Sequence, residues 1–245
     1  MKLVTIYKNP IQGTGRLLPR DIRNYIASIS KEDKVLHDIV MSHKNKQPVF
    51  IFSMPNRKSF AIYTFKTDTR TKSALNRLKQ LIIDNPKIDI NGVSVKADRV
   101  FSSSYDFTRF EYGFEERRLR TPLIIASAEF EYALCAKHTK ENFDQKWLES
   151  YVADKIKEVT VLMCRDWYGQ EEADRVEVML EEVIILFKDL EYSPIKYKEN
   201  LYYPAVRGTI ISNIHLPMFI GYKSGLGYGE LSSLKEMDRR KGTIK

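Results

Sequence analysis

The order of strand-like and helix-like segments near the start of the chain is the strongest constraint on how it can fold. Residues 2–8 alternate between apolar and polar side chains and are rich in Val, Ile, Thr and Tyr, which is typical of a strand. Residues 22–29 then bring apolar side chains to one helical face, after a Pro19 that favours the first turn of a helix. Strand-like runs return at residues 49–52 and 59–66, so the chain begins as β-α-β-β.

A second helix and a hairpin complete this series. Residues 71–83 place leucines on one face and Lys and Arg on the other, and Asn85-Pro86 ends the helix. Asn91-Gly92 follows between two short β-forming runs, and this dipeptide accepts the positive φ angles of a type I′ turn. The β-α-β-β-α-β order over about 100 residues predicts a ferredoxin-like α+β domain, the pattern also found in RNA-recognition modules.

The second half of the chain resembles a variant of the first. We divide the chain into residues 1–118 and 119–245, with the polar, Arg-rich residues 102–120 as the linker. A long amphipathic helix is expected at 142–164. Strands are expected at 122–130, 176–188, 192–198 and 202–212. The prediction is therefore two tandem ferredoxin-like domains, the second without a full second helix.

The positive charge of the chain is concentrated in its first half. Residues 1–120 carry 23 Lys and Arg against 12 Asp and Glu, whereas residues 121–245 carry 17 against 20. A basic half joined to a near-neutral half is typical of a protein that binds a polyanion such as RNA. A basic, solvated surface that binds no partner would show the same distribution of charge.

Several classes of protein are excluded by what the sequence lacks. No apolar run exceeds five residues, so we expect no membrane span and a soluble, cytoplasmic protein. Two cysteines, Cys135 and Cys164, are too few for a disulfide framework or a zinc site. No HExxH or Cys/His spacing surrounds the four histidines, so we expect neither a metal nor another cofactor.

A glycine-rich segment near the C-terminus is the sharpest local motif. Its candidate RNA-binding residues are Gly221, Lys223, Gly225, Gly227 and Gly229. Glycines let a backbone approach a phosphate closely and direct N–H groups at it, and the lysine adds charge. The segment is neither a Walker A loop nor a dinucleotide fingerprint. A glycine-rich turn that packs only against protein is the alternative.

A histidine lies near lysines just before the second predicted strand. His37 is the candidate general base or acid, because a histidine side chain can take up or release a proton near neutral pH and RNA can be cut by its own 2′-hydroxyl once a base removes the proton. His43 is the alternative base, and Lys44 or Lys46 is the candidate cation. Tyr25 could donate to a phosphate oxygen, or it could be a core tyrosine on the face of the first helix.

Four segments together resemble the CRISPR-associated repeat-processing endoribonucleases of the RAMP superfamily. They are Tyr25 to Ser53 (with Leu36-His37-Asp38 and Pro48 to Ser53), Leu81 to Val100, Thr121 to Ile125, and Gly221 to Leu231. The last of them is similar to the glycine-rich loop of that superfamily. The resemblance spans nearly the whole chain in outline, and its motifs cover about a quarter of it.

The resemblance implies two ferredoxin-like domains and a metal-independent cut in CRISPR repeat RNA that leaves a 2′,3′-cyclic phosphate. It assigns the catalytic roles to His37, Tyr25 and Lys46. We add Arg117, Arg118 and Arg120 as RNA-binding candidates because of their density. Precursor CRISPR RNA is the expected partner, with other effector subunits and a second copy of the chain as further partners.

Two other functions remain open on the sequence. Some RAMP proteins bind RNA as subunits of an effector complex without cutting it. A plain RNA-recognition-like module unconnected with CRISPR would show the same fold and the same charge. A cut in repeat RNA in the presence of EDTA separates the nuclease from both.

Overall fold

The structure, a computed structural model, describes residues 1–12, 14–41, 48–66, 68–103, 110–126, 129–137, 143–198 and 201–232. The chain divides into two compact units. Unit 1 contains Met1–Asp106 and Gly225–Gly227. Unit 2 contains Phe107–Ser224 and Tyr228–Lys245.

Unit 1 contains five strands and three helices in the described part of the chain. In order they are β1 (Lys2–Tyr7), α1 (Pro19–Ile29), α2 (Lys34–Met41), β2 (Ile51–Phe52), β3 (Ser59–Tyr63), α3 (Thr69–Asp84), β4 (Lys87–Ile90) and β5 (Val93–Ser103). The strands form one antiparallel sheet in the order β2-β3-β1-β5-β4. The β-α-β-β-α-β series expected from the sequence is present, with α2 added between α1 and β2.

The core of unit 1 lies where α1 and α3 meet the sheet. Leu3 of β1 and Ile62 of β3 are fully buried and belong to one cluster with Ile22 and Ile26 of α1 and Leu78 of α3. The hairpin turn is also as expected, because Asn91 and Gly92 both have positive φ (52° and 74°).

The helix α2 was not predicted, because its segment reads as polar and basic. Its signal is nevertheless present. Asp33 accepts a hydrogen bond from the backbone N–H of Leu36 at 3.1 Å, as an N-terminal cap does, and Leu36 and Val40 supply a buried i, i+4 pair. His37 therefore lies on a helix.

Unit 2 has six strands and three helices among its described residues. In order they are β6 (Tyr112–Arg118), β7 (Leu123–Ile124), α4 (Glu129–Ala136), α5 (Gln145–Tyr168), α6 (Gln170–Glu181), β8 (Ile185–Tyr192), β9 (Ile195–Lys198), β10 (Leu201–Tyr203) and β11 (Ala205–Ile214). β11 pairs with β8 along one edge and with β6 and β7 along the other, while β9 and β10 form a separate hairpin.

The predicted strand at residues 176–188 begins only at Ile185, as β8. Residues 176–181, expected as strand, belong to α6. Val176, Val178 and Leu180 alternate in sequence as a strand would, but only Val176 and Leu180 are buried, whereas Val178 is 67% exposed. Ala173, Val176 and Leu180 form the helical stripe that faces the core. Residues 129 and 130, also expected as strand, begin α4.

The boundary between the units differs from the predicted one. The predicted linker, residues 102–120, contains the whole of β6, and β6 pairs with β11 from Tyr112↔Ile214 to Arg118↔Thr209. The division therefore falls after Asp106 instead of after residue 118. Of the helices in the described ranges, none has the length and apolarity needed to cross a lipid bilayer.

The assignment of α6 has a direct test in stability. Val176→Ala removes a fully buried side chain and should lower the free energy of unfolding by about 2 kcal/mol. Val178→Ala should change it by less than about 0.5 kcal/mol, because Val178 is exposed. Denaturant unfolding of both variants measures the difference. Equal losses would mean that both valines face the core, as they would in a strand.

Candidate active site

His37 is held against the C-terminal turn of α1. Its imidazole Nδ1 lies 3.0 Å from the carbonyl oxygen of Ala27 and 3.4 Å from the hydroxyl oxygen of Ser30. Ser30 is fully buried and donates its own hydroxyl proton to the same carbonyl at 3.3 Å. His37 is half-buried.

This contact determines which ring nitrogen can act as a base. A carbonyl oxygen only accepts hydrogen bonds, so the neutral imidazole carries its proton on Nδ1. The lone pair of a neutral His37 then lies on Nε2. That is the state a general base requires, with one nitrogen fixed by the protein and the other ready to take a proton.

Arg77 supports the helix that carries His37, and the sequence did not single it out for this. Arg77 of α3 forms an ion pair with Asp33, whose backbone carbonyl accepts the N–H of His37 at 2.8 Å. The only signal in the sequence was the basic face of α3, which also carries Arg70 and Lys72. A basic face is typical of any solvated helix, so nothing distinguished Arg77 from its neighbours.

The hydroxyl of Tyr25 is engaged inside unit 1. Tyr25 is 6% exposed, belongs to the hydrophobic core, and donates to the backbone carbonyl of Asn85 at 2.6 Å. Burial raises the pKa of Tyr25 above its usual value. This geometry favours the core alternative for Tyr25, and the described contacts do not join it to His37.

Lys46, the expected cation, lies outside the described residues, together with His43 and Lys44. The structure therefore assigns no geometry to these three candidates. Their proposed roles stay predictions.

The glycine-rich segment is built around protein contacts. Gly227 has φ +79°, and an added Cβ would overlap the side chain of Pro19 and lie 2.6 Å from the carbonyl oxygen of Phe52. An added Cβ at Gly225 would lie 2.9 Å from the side chain of Pro48. All of these residues belong to unit 1. The close neighbour that these two glycines require is therefore supplied by the protein.

Other positions of the segment have their own constraints within unit 2. Gly221 and Gly229 also have positive φ (79° and 70°), and a Cβ on either would meet the side chain of Leu123. Their conformation and packing explain the glycines without a ligand. RNA contact by the backbone of this segment stays a prediction.

Gly227 of the glycine-rich segment and His37 contact opposite ends of α1. Gly227 lies beside Pro19, the first residue of the helix, and His37 bonds Ala27 eight residues later. A rise of 1.5 Å per residue separates the two helix positions by about 12 Å.

Lys223 remains exposed and is held in an uncommon conformation. Its φ is +59°, in the left-handed region, where a non-glycine residue is under strain. Its ammonium group lies 5.8 Å from the centre of the Tyr203 ring, within the range of a cation–π contact. The contact with Tyr203 favours one position of the Lys223 ammonium group at the surface of unit 2.

The three arginines of the predicted linker have different environments. Arg117 is buried, and its guanidinium donates to the carbonyls of Ser232 and Leu216, both at 2.7 Å. Arg120 lies 3.2 Å from the buried carboxylate of Glu230. Arg118 is exposed. Of the three, Arg118 is the one whose position suits an RNA contact, whereas Arg117 stabilises the interior of unit 2.

Metal-ligand clusters and reactive thiols do not mark another site in the described part of the chain. In the described ranges, no group of three or more His, Cys, Asp and Glu side chains is arranged to hold a metal ion. Cys135 and Cys164 are fully buried, and burial raises their pKa to about 11 and about 12. Few thiolates form at neutral pH, so both cysteines are structural.

Comparison with solved structures identifies the fold. Cas6b is 16% identical to this chain, with a TM-score of 0.65 over 96% of this chain and 100% of Cas6b. A RAMP protein described as binding different RNA substrates is 11% identical, with a TM-score of 0.60 over 95% and 98% of the two chains. The protein of a Cas6-related gene from Pyrococcus furiosus is 12% identical, with a TM-score of 0.59 over 96% and 99%.

The resemblance drawn from the sequence is confirmed at the level of the fold. The chain has the α+β fold of Cas6 and RAMP proteins along nearly its whole length. No protein-family model matches the sequence, and no curated protein matches it.

The packing of Gly227 can be separated from its backbone strain. Gly92 has a similar φ (+74°) but no atom within 4 Å of an added Cβ, which makes it a matched control. Gly92→Ala should cost about 1 kcal/mol, from the left-handed conformation alone. Gly227→Ala should cost at least about 2 kcal/mol more, because Pro19 and the backbone of Phe52 must move. If denaturant unfolding shows equal losses of unfolding free energy for the two variants, the close packing of Gly227 against Pro19 and Phe52 is contradicted.

Proposed function

We propose that this protein is a metal-independent endoribonuclease that cuts CRISPR precursor RNA within its repeats. The observation that carries the proposal is the hydrogen bond from Nδ1 of His37 to the Ala27 carbonyl, which leaves Nε2 as the basic nitrogen. The fold shared with Cas6 and RAMP proteins supports the substrate class. Further effector subunits, a second copy of the chain and a cytoplasmic location belong to the same proposal.

The chemistry requires the 2′-hydroxyl of the RNA, one base and a proton for the leaving oxygen. Nε2 of His37 takes the proton of a 2′-hydroxyl, and the 2′-oxygen attacks the adjacent phosphorus. The bond from phosphorus to the 5′-oxygen breaks, the leaving oxygen takes a proton from water, and a 2′,3′-cyclic phosphate remains. Lys46 would stabilise the charge that develops on the phosphoryl oxygens.

A second function, an RNA-binding RAMP subunit that cuts nothing, is favoured by one observation. The hydroxyl of Tyr25 donates to the Asn85 carbonyl, so the partner that the resemblance gave to His37 is committed elsewhere. One structure of the same fold is described as a RAMP protein that binds different RNA substrates. The two functions differ in whether bound repeat RNA is cut.

Replacement of His37 tests the proposed chemistry. In the presence of EDTA, the wild-type protein should cut repeat RNA and leave a cyclic phosphate. His37→Ala should lower the cleavage rate at least about a hundredfold, the usual contribution of a general base, while RNA affinity changes little. End analysis of the product and single-turnover kinetics measure both effects.

Two further variants identify the roles of individual groups. His37→Asn keeps a side-chain N–H that can donate to the Ala27 carbonyl but has no basic nitrogen, so it should be as inactive as His37→Ala. Tyr25→Phe should retain cleavage and lose about 1 kcal/mol of stability with its hydrogen bond. Cleavage by His37→Asn would assign His37 to positioning only. Specific binding without any cleavage by the wild type would establish the RAMP-subunit function.

The exposed cations of unit 2 are proposed to bind the RNA backbone. Lys223→Ala and Arg118→Ala should each weaken RNA binding and reduce the steepness of its salt dependence by about 0.7 in the log–log slope for single strands. The cut site should not change. Lys188→Ala, which removes a lysine already paired with Glu116 at 2.9 Å, is the control. An unchanged slope for Lys223→Ala would remove that residue from the interface.

A further inference from the structure

Three lysines stand in a row across neighbouring segments of the unit 1 sheet. Lys87 of β4 and Lys96 of β5 are direct cross-strand partners. Lys8 follows Tyr7, which pairs with Ala97, and the backbone N–H of Lys8 donates to the carbonyl of Lys96 at 2.8 Å. All three lysines are exposed, and neighbouring strands lie about 4.8 Å apart.

Among the described residues, a carboxylate is paired with one of these three lysines. Like charges directly opposite each other destabilise a sheet. The paired lysine is Lys87, which lies 3.0 Å from Asp89; both side chains are largely exposed, so the ion pair adds little to folding stability. Neither Lys8 nor Lys96 forms an ion pair with any carboxylate in the described part of the chain.

The row lines a cleft whose other polar groups are uncharged. The cleft has a volume of about 870 Å³, within the usual size of a ligand site, and its polar lining includes Asn9, Gln12 and Ser94. No Asp or Glu among the described residues lines it. The lining includes no residue of α2 and none of the glycine-rich segment, so the cleft is separate from the candidate active site.

Protection of the sheet edge does not explain the row. Lysines are common on edge strands, where they discourage pairing with another chain, and β4 is an edge strand of this sheet. That explanation covers Lys87 alone. Lys96 lies on β5, which is paired on both sides, and Lys8 follows β1, which is also paired on both sides.

We propose that Lys8, Lys87 and Lys96 form a phosphate-binding site for the backbone of a single-stranded RNA segment. The inference rests on the proposed function and adds a second contact region to it. Neighbouring strands lie about 4.8 Å apart, so the flexible side chains of these three lysines can reach successive phosphates of one nucleic-acid strand. Asn9, Gln12 and Ser94 offer hydrogen bonds to phosphate or ribose oxygens without reading bases.

The test replaces Lys8 and Lys96, the two lysines whose positions are not explained by protection of the sheet edge. Lys8→Gln/Lys96→Gln should lower the affinity for repeat RNA at least tenfold at low salt. The log–log salt slope should become less steep by about 1.4, for two lost phosphate contacts on a single strand. The melting temperature should stay equal or rise, because repulsion within the row is removed.

The matched control removes the same charge from elsewhere in unit 1. Lys31→Gln/Lys72→Gln replaces two exposed lysines, one in the turn after α1 and one on α3, and should leave the slope within about 0.3 of the wild type. Equal losses in both double variants would show a general charge effect and overturn the inference.

The remaining outcomes separate the inference from the proposed function. If the wild type binds RNA and Lys8→Gln/Lys96→Gln binds it equally well, the inference alone fails. A fall in melting temperature of the cleft variant would assign the lysines to stability and also overturn it. A wild type that binds no repeat RNA overturns the proposed function itself.

Discussion

The carbonyl oxygen of Ala27 determines what the imidazole of His37 can do. That oxygen lies at the last turn of α1, where carbonyl groups have no partner further along the helix. It accepts hydrogen bonds from Ser30 and from His37, and so fixes one ring nitrogen as a donor. α1 can offer the oxygen in this position only because Ile22 and Ile26 hold the helix on the sheet. The basic nitrogen thus depends on the packing of the whole unit.

The sequence predicted unit 1 well because its signals there are local. The apolar spacing of residues 22–29, the Asn91-Gly92 turn and the alternation of β1 each specify one element within a few residues. The order of those elements then leaves few topologies. In unit 2 the signals were ambiguous, since Val176, Val178 and Leu180 fit both a strand and a helix. Only burial, which depends on the rest of the fold, distinguishes the two.

The sequence offered candidate side chains for the site but no information on their contacts. His37 was identified from its position near lysines and through a resemblance, but the sequence contains no signal for the Ala27 carbonyl, because every residue carries one. For Tyr25, the two kinds of sequence evidence pointed to different roles. Its position on the apolar face of α1 indicated the core, and the resemblance indicated the site. Its hydrogen bond to the Asn85 carbonyl depends on the end of α3, which lies sixty residues away in the sequence.

The assignment of Gly225–Gly227 to unit 1 has a consequence for how the protein is made. These residues pack against Pro19, Pro48 and Phe52, although more than a hundred residues of unit 2 separate them from the rest of unit 1. Domains generally fold as they leave the ribosome, the N-terminal one first. Here the first unit cannot complete its packing until residues 107–224 of the second unit have been translated. A nascent chain halted before Gly225 therefore lacks the contacts that Gly225 and Gly227 make with Pro19, Pro48 and Phe52 in the first unit.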